Sequence, residues 1–361
     1  MTVPRQAAAT AAASADLPQA VGPAISRTVG RQSFLSGTGI IEGGSIIWGR
    51  LRKEGRPLYK PPMQYVLTVI GDPGSRPLTA TLVDAARRAI DSSHSTAGAA
   101  QWLDEGVACD LPFEGREPTI TQALVREAIG RAPLDLAIQP AGRRRKRLLV
   151  ADMESTIIGQ EMLDELAELA GIHEEVAEIT ALAMAGELDF EAALRERVAL
   201  LAGMSSEMLE AAAARMTLNP GARTLVATMR AGGAYCALVS GGFTCFTDPI
   251  RAACGFDEAR ANALELADGR ITGQVPSPVL GRAAKLAALE ELAARQGGVP
   301  FDACAVGDGA NDLDMLGAAG LGVAYYGKPK VRAAARYRID HGDLTALLYM
   351  QGYHADEIRE S

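Results

Sequence analysis

The hydrophobic pattern of the chain changes character near residue 63. Upstream, Ala7 to Ala15 is almost all Ala, Thr and Ser, and Gly, Ser and Arg then follow without period as far as Pro61-Pro62. A segment with no recurring apolar face cannot bury enough surface to offset its chain entropy, so residues 1–62 are expected to be disordered. Met63 directly precedes the first periodic stretch and is expected to be the functional start. From there Tyr65 to Ile70 reads as a strand. Leu78 to Asp91 reads as an amphipathic helix with Leu82, Ala85, Ala86 and Ala89 on one face. Strand-like residues recur at Gln101-Trp102-Leu103 and at Gly106 to Cys109. A helix over Ile120 to Ile129 and a strand over Leu134 to Ile138 complete a β-α-β-α-β order. That order predicts a small ferredoxin-like α+β domain over residues 63–141.

A second pattern covers residues 142–350. The apolar run Leu148-Leu149-Val150-Ala151 reads as a buried parallel strand. The basic run before it, Arg143 to Arg147, is expected to be a solvated linker. Residues at about 160–216 are helical by period. One helix carries Met162, Leu163, Leu166, Leu169 and Ala170 and closes at Gly171. A second lies around Val176 to Ala185, and a third over Phe190 to Ala202 with Asp189 as its N-cap. In the third, Arg197 shares the apolar face of Phe190 and Leu194. A buried guanidinium needs an anionic partner, either a structural carboxylate such as Glu161 or Glu165, or a ligand.

After residue 216 helices and strands alternate again. Helices are expected at Ala222 to Ala231, Arg282 to Arg295, Asp312 to Ala319 and Leu344 to Tyr349. Strands are expected at Tyr235 to Val239, Ala303 to Val306, Leu321 to Tyr325 and Tyr337 to Ile339. A hairpin is expected about Asp268-Gly269. The pattern predicts an α/β fold: a Rossmann-like parallel sheet flanked by helices, with an inserted helical cap. Residues 351–361 form a tail.

The candidate chemistry sits where apolar runs end, and ligands of open α/β sheets bind at the carboxyl ends of strands. Asp152 and Glu154 follow one strand. Ser240 and Gly241 follow another. Asp308, Asn311 and Asp312 follow a third, and Lys285 lies near the start of a helix. Each element alone is an ordinary turn or a solvated charge. Together they supply what phosphoryl transfer needs. Asp152 can act as nucleophile, and Asp152 and Asp308 offer hard oxygens to Mg2+. Lys285 can neutralise the transferring group, Ser240 and the Gly241 amide can hold phosphate oxygens, and Glu154 can exchange protons with the leaving group and with water. Gly322 to Lys328 has the form G-x-x-x-x-G-K, but Pro329 replaces the Ser or Thr of a phosphate-binding loop and no proper helix is expected after it.

Composition narrows the partners. A net charge of −8 over 361 residues argues against broad binding of nucleic acid or anionic membranes. Five cysteines without C-x-x-C spacing suggest reduced thiols and a cytoplasmic setting. No apolar stretch is long enough to span a bilayer. Monomer and homodimer both remain open.

With these motifs in hand, the region from Lys146 to Tyr349 resembles the phosphoserine phosphatases of the haloacid dehalogenase superfamily. The D-x-D-x-[TV] motif appears as Asp152-Met153-Glu154-Ser155-Thr156, the second motif as Leu238 to Phe243, the third as Lys285, and the fourth as Gly307 to Met315. Glu161, Met184, Phe190 and Arg197 match that family's substrate pocket in order and spacing. The resemblance implies a phospho-aspartyl intermediate on Asp152 and Mg2+ held by Asp152, Asp308 and the carbonyl of residue 154, with Asp312 as an outer partner. It further implies that Glu161 binds the substrate ammonium, that Arg197 binds its carboxylate, and that Asn311 lies near the substrate. Position 154 departs from the family: Glu stands where Asp is usual. By element order alone, the small domain resembles the amino-acid-binding ACT-like modules found on some relatives.

Overall fold

The computed structural model describes residues 63–115, 118–185 and 187–359; the side chains of Met63, Met184 and Ala185 lie outside this description. The expectation for residues 1–62 falls outside it as well.

The first sheet is antiparallel. Met63–Gly71 lies between Ala108–Gly115 and Leu134–Pro140, and Gln101–Asp104 pairs with the far edge of Ala108–Gly115. Residues 105–107, read in part as strand, instead form the turn between those two strands. Helices Ala80–Ser92 and Pro118–Ile129 cover one face. The buried positions of the first are Val83, Ala86, Ala89 and Ile90, so its inner face is rotated from the one expected and Leu82 lies at its margin.

Alternation along Met63–Gly71 explains what lies on each side of this sheet. Tyr65, Leu67 and Val69 join the core under the two helices. Thr68 and Ile70 point the other way, where Ile70 joins a core shared with Leu347 and Leu348 of the C-terminal helix Ala346–Met350. Polar groups on this hidden face all have partners. The Thr68 hydroxyl donates to Asp110 Oδ1 at 2.7 Å, and Arg144 meets Asp110 and the carbonyls of Tyr349 and Met350. Arg144 side-chain exposure is 11% and that of Asp110 is 6%. Lys146 is buried too, bonded to the Phe301 carbonyl with its ammonium over the Phe301 ring. Arg144 and Lys146 of the basic run are therefore packed in place, while Arg143, Arg145 and Arg147 are exposed as a solvated linker would be. A charge pattern alone does not reveal that a carboxylate and free helix-end carbonyls await Arg144.

The second sheet has six strands, all parallel, in the order Tyr337–Ile339, Leu321–Tyr325, Ala303–Gly307, Leu148–Ala151, Tyr235–Phe243, Glu258–Asn262. From Leu148–Ala151 the chain builds one way through 235 and 258, then returns to the other side at 303. That reversal opens a crevice at the carboxyl ends of Leu148–Ala151 and Ala303–Gly307. The run at 235 continues as strand to Phe243, past its pairing with the central strand, which ends at Leu238. The hairpin at Asp268-Gly269 is present with both turn residues at positive φ, but its strands are only Leu266–Ala267 and Arg270–Ile271. Helix Thr244–Cys254 and strand Glu258–Asn262 were not expected; Pro249 inside the helix hid its period.

The cap consists of helices Met162–Ala170, His173–Ala185, Phe190–Ala199 and Glu207–Ala213. Gly171 closes the first in the left-handed conformation, and the Asp189 side chain caps the third by accepting from the Ala192 amide at 2.9 Å. Among the described residues no helix is long and apolar enough to cross a membrane.

Candidate active site

The central strand Leu148–Ala151 is buried on both faces, and its carboxyl end delivers Asp152 into the crevice. The Asp152 amide donates to the Val306 carbonyl, extending the pairing one residue past the strand. The chain then turns sharply. Ser155 takes a positive φ of 51°, and the amides of Ile157 and Ile158 both return to the Met153 carbonyl. From the segment just before helix Ala222–Ala231, Asn219 donates to the carbonyls of Thr156 and Ile158. The turn is thus held from outside, as strained backbone at a site requires.

Lys285, from helix Arg282–Arg295, is fully buried. Its Nζ lies 2.8 Å from Asp152 Oδ1 and 2.7 Å from Asp312 Oδ1. Burial works against its charge, but the two carboxylates reverse this and hold it well above the ordinary lysine range. Burial, then repulsion from Asp312, pushes Asp152 up against the pull of Lys285. Asp308 is pushed up to about 6, chiefly by burial. The Thr156 hydroxyl reaches Asp308 Oδ1 at 3.4 Å.

Asp152, Asp308 and Asp312 each present an oxygen within 4.8 Å of the others. Three buried carboxylates against the single buried ammonium of Lys285 leave negative charge uncompensated, and oxygen donors suit a hard divalent cation. Asp312 already uses both oxygens, one on Lys285 and one accepting from the Gly309 amide at 2.9 Å. Asp152 keeps Oδ2 open, while Asp308 meets the Thr156 hydroxyl through Oδ1 and the half-exposed Lys328 through Oδ2.

Glu154 is partly buried and folds back so that Oε1 accepts from the Met162 amide at 3.1 Å. Burial, with Glu161 nearby, pushes its carboxyl up to about 7. The carboxyl group lies over Gly242, in space a side chain there would fill. The Ser240 hydroxyl is buried and accepts from the Gly242 amide at 3.0 Å. Asn262 ties the Gly241 carbonyl to the Leu280 amide. Phe190 reaches down from the cap onto this floor: a Cβ on Gly241 or on Gly281 would stand 3.1 Å from its ring. Asn311 is partly buried on the 3-10 turn Ala310–Asp312.

Arg197 is half-buried on the cap. Its guanidinium meets the Ala193 carbonyl at 3.2 Å and the Thr180 hydroxyl at 3.4 Å. Neither Glu161 nor Glu165 pairs with it: Glu165 pairs with Arg215, and Glu161 accepts from the Ser155 hydroxyl at 2.9 Å. Burial lowers the Arg197 pKa, with Asp164, Glu154 and Glu161 pulling the other way. Met184 belongs to helix His173–Ala185, but its side chain is outside the described residues.

Two residues with no assigned role stand among these groups. Thr156 was visible within the first motif. Lys328 was visible only inside a motif set aside, and its Nζ lies 3.3 Å from both Glu161 and Asp308. The short helix Pro329–Ala334 does follow it, contrary to expectation, with Pro at its first turn, where a missing amide costs nothing. The usable signal was a lysine just past the carboxyl end of an apolar strand.

Residues 149–317 match the family model for haloacid dehalogenase-like hydrolases. A phosphoserine phosphatase of Streptomyces coelicolor is 40% identical over 310 residues, 81% of this chain and 75% of that protein. The crystal structure of a probable phosphoserine phosphatase from Vibrio cholerae, unliganded, is similar at a TM-score of 0.65 and 30% identity, covering 81% of this chain and 88% of that one. A solved phospho-aspartyl intermediate analogue of phosphoserine phosphatase is 41% identical with a TM-score of 0.53, covering 56% of this chain and 98% of that one. With the crevice, the buried lysine and the carboxylate cluster described, these likenesses identify the chain as a member of the phosphoserine phosphatase family of haloacid dehalogenase-like hydrolases.

Proposed function

We propose that the chain hydrolyses O-phospho-L-serine to L-serine and inorganic phosphate, the last step of serine biosynthesis, in the cytoplasm. The observation that carries the substrate is Arg197: among the described residues, no carboxylate lies within ion-pair distance of this half-buried guanidinium. A substrate carboxylate would supply the missing anion, and Glu161 the seat for the ammonium. Met184 and Phe190 would close the pocket from the cap.

In the proposed reaction, an Asp152 oxygen attacks phosphorus and the serine oxygen leaves on the opposite side. Glu154 gives the leaving oxygen its proton, then takes one from the water that hydrolyses the phospho-aspartyl group. Lys285, Ser240 and the Gly241 amide hold the phosphoryl oxygens, and Asn311 lies beside them. Asp152, Asp308 and the carbonyl of Glu154 would hold Mg2+, with Asp312 behind them. Bound there, Mg2+ would offset repulsion between a carboxylate nucleophile and a phosphate dianion.

The test is phosphate release from phosphoserine, glycerol phosphate and a sugar phosphate, with and without Mg2+. Phosphoserine should be far preferred. Arg197→Ala should raise KM strongly, since a buried charge-assisted pair is worth roughly 2–5 kcal/mol. Equal rates on all three substrates would refute the reading.

We propose domain boundaries at 63–141 for the small domain and 142–350 for the catalytic one. The strand order of the small sheet supports an ACT-like reading. A chain beginning at Met63 retains every residue pairing of the first strand and should keep its melting temperature and activity.

A further inference from the structure

Lys328 is placed with care. Its amide donates to the Asp308 carbonyl at 3.0 Å, and Pro329 starts a helix directly after it, so its backbone is fixed at the rim of the crevice. From there the side chain spans two carboxylates that belong to different parts of the proposed reaction. One is Asp308, in the metal cluster. The other is Glu161, at the base of the cap. Glu161 stands at the N-cap position of helix Met162–Ala170, yet its side chain caps no amide. It turns into the site and meets Ser155 and Lys328.

A lysine Nζ and the α-ammonium of an amino acid are the same donor: a compact cation with three N–H groups. We propose that Lys328 is an internal competitor for the ammonium seat, occupying Glu161 and Asp308 in the free site and yielding when the substrate ammonium and the divalent cation arrive. This rests on the phosphoserine reading and deepens it. Half-exposed pairs such as Lys328–Glu161 are weak, so the displacement is easy. The tether brings Lys328 back to Glu161 as the product leaves, so the carboxylate is never long without a cation. A phosphomonoester lacking an ammonium leaves Lys328 where it is.

The test uses Lys328→Met and Lys328→Arg in the full chain, both first checked for an unchanged melting temperature. Calorimetry would measure Mg2+ binding to the free protein, then L-serine binding to the Mg2+-loaded protein. With the competing cation gone, Lys328→Met should bind both about 2- to 5-fold more tightly, the scale of one weak ion pair. Lys328→Arg should stay near wild type. Unchanged or weaker binding of both ligands by Lys328→Met would overturn the proposal even if wild type hydrolyses phosphoserine. If wild type does not hydrolyse phosphoserine, the functional reading fails. Lys328 is then judged on Mg2+ binding, where no gain in affinity overturns its competitor role.

Discussion

A methyl group on Gly242 would stand 2.8 Å from Oε1 of Glu154. The far end of a flexible side chain can give way, so Gly242→Ala should fold with little loss of stability. The carboxyl would move away from the place where, in the proposed reaction, it meets the leaving oxygen. We expect kcat to fall at least tenfold while the melting temperature stays within a few degrees, because misplacing a catalytic group by an ångström costs up to about 10²-fold. Full activity in this variant would show that the present position of Glu154 is not the working one.

Glu154 itself should contribute as an acid and base. Its extra methylene, relative to Asp, is taken up by folding back to the Met162 amide. Glu154→Gln should lose roughly 10²–10⁴ in kcat, Asp152→Asn should lose more, and Glu154→Asp should stay within about tenfold. With the carboxyl pushed up to about 7, the proton-donating form disappears as pH rises through that value. The alkaline limb of kcat/KM should therefore begin near there and vanish in Glu154→Gln. A limb that persists in Glu154→Gln would assign the proton to another group.

Divalent-cation binding should follow the protonation of Asp308. Its carboxyl is pushed up to about 6, so the folded protein binds more protons than the unfolded chain between the ordinary Asp value and that point. Stability of the metal-free protein should accordingly decline as pH rises through this window. A metal requires the ionised form, so Mg2+ affinity should weaken as pH falls through about 6. The rise in melting temperature on adding Mg2+ should be small at pH 5 and clear at pH 7.5, values chosen to straddle the transition. An equal rise at both would show that no ligand of the cation titrates between these values.

The contact between the two sheets should be costly to break. Arg144→Ala strands Asp110 beneath the small domain, and losing one partner of a buried pair costs about 3–5 kcal/mol. Arg145, whose pair with Glu357 is about half exposed, should cost at most about 1 kcal/mol when replaced by Ala. Urea unfolding of the two variants decides the matter. Similar midpoints would mean that Arg144 is as dispensable as its neighbour.

The sequence by itself determined most of the elements and marked the candidate groups at their ends. Both follow from local rules. An apolar run four residues long, such as Leu148–Ala151, has to be buried, and a carboxylate after it has to stand at a sheet edge. Helix Ala222–Ala231 and strand Leu321–Tyr325 were legible residue for residue because their apolar period is unbroken. What tertiary structure decided is which charges meet. Arg144 and Arg145 are adjacent and chemically identical, yet one is clamped beneath the small sheet and the other is half exposed in a pair with Glu357. Lys285 and Lys328 both stand at or near the start of a helix; one is fully buried between Asp152 and Asp312, the other half-exposed between Glu161 and Asp308. Arg197 called for an anionic partner, structural or bound, and the fold gave Glu165 to Arg215. Periodicity fixes which side of its own element a residue occupies. Which charge faces it there depends on the crossing of chain segments far apart in sequence, and only the assembled sheets and cap set that crossing.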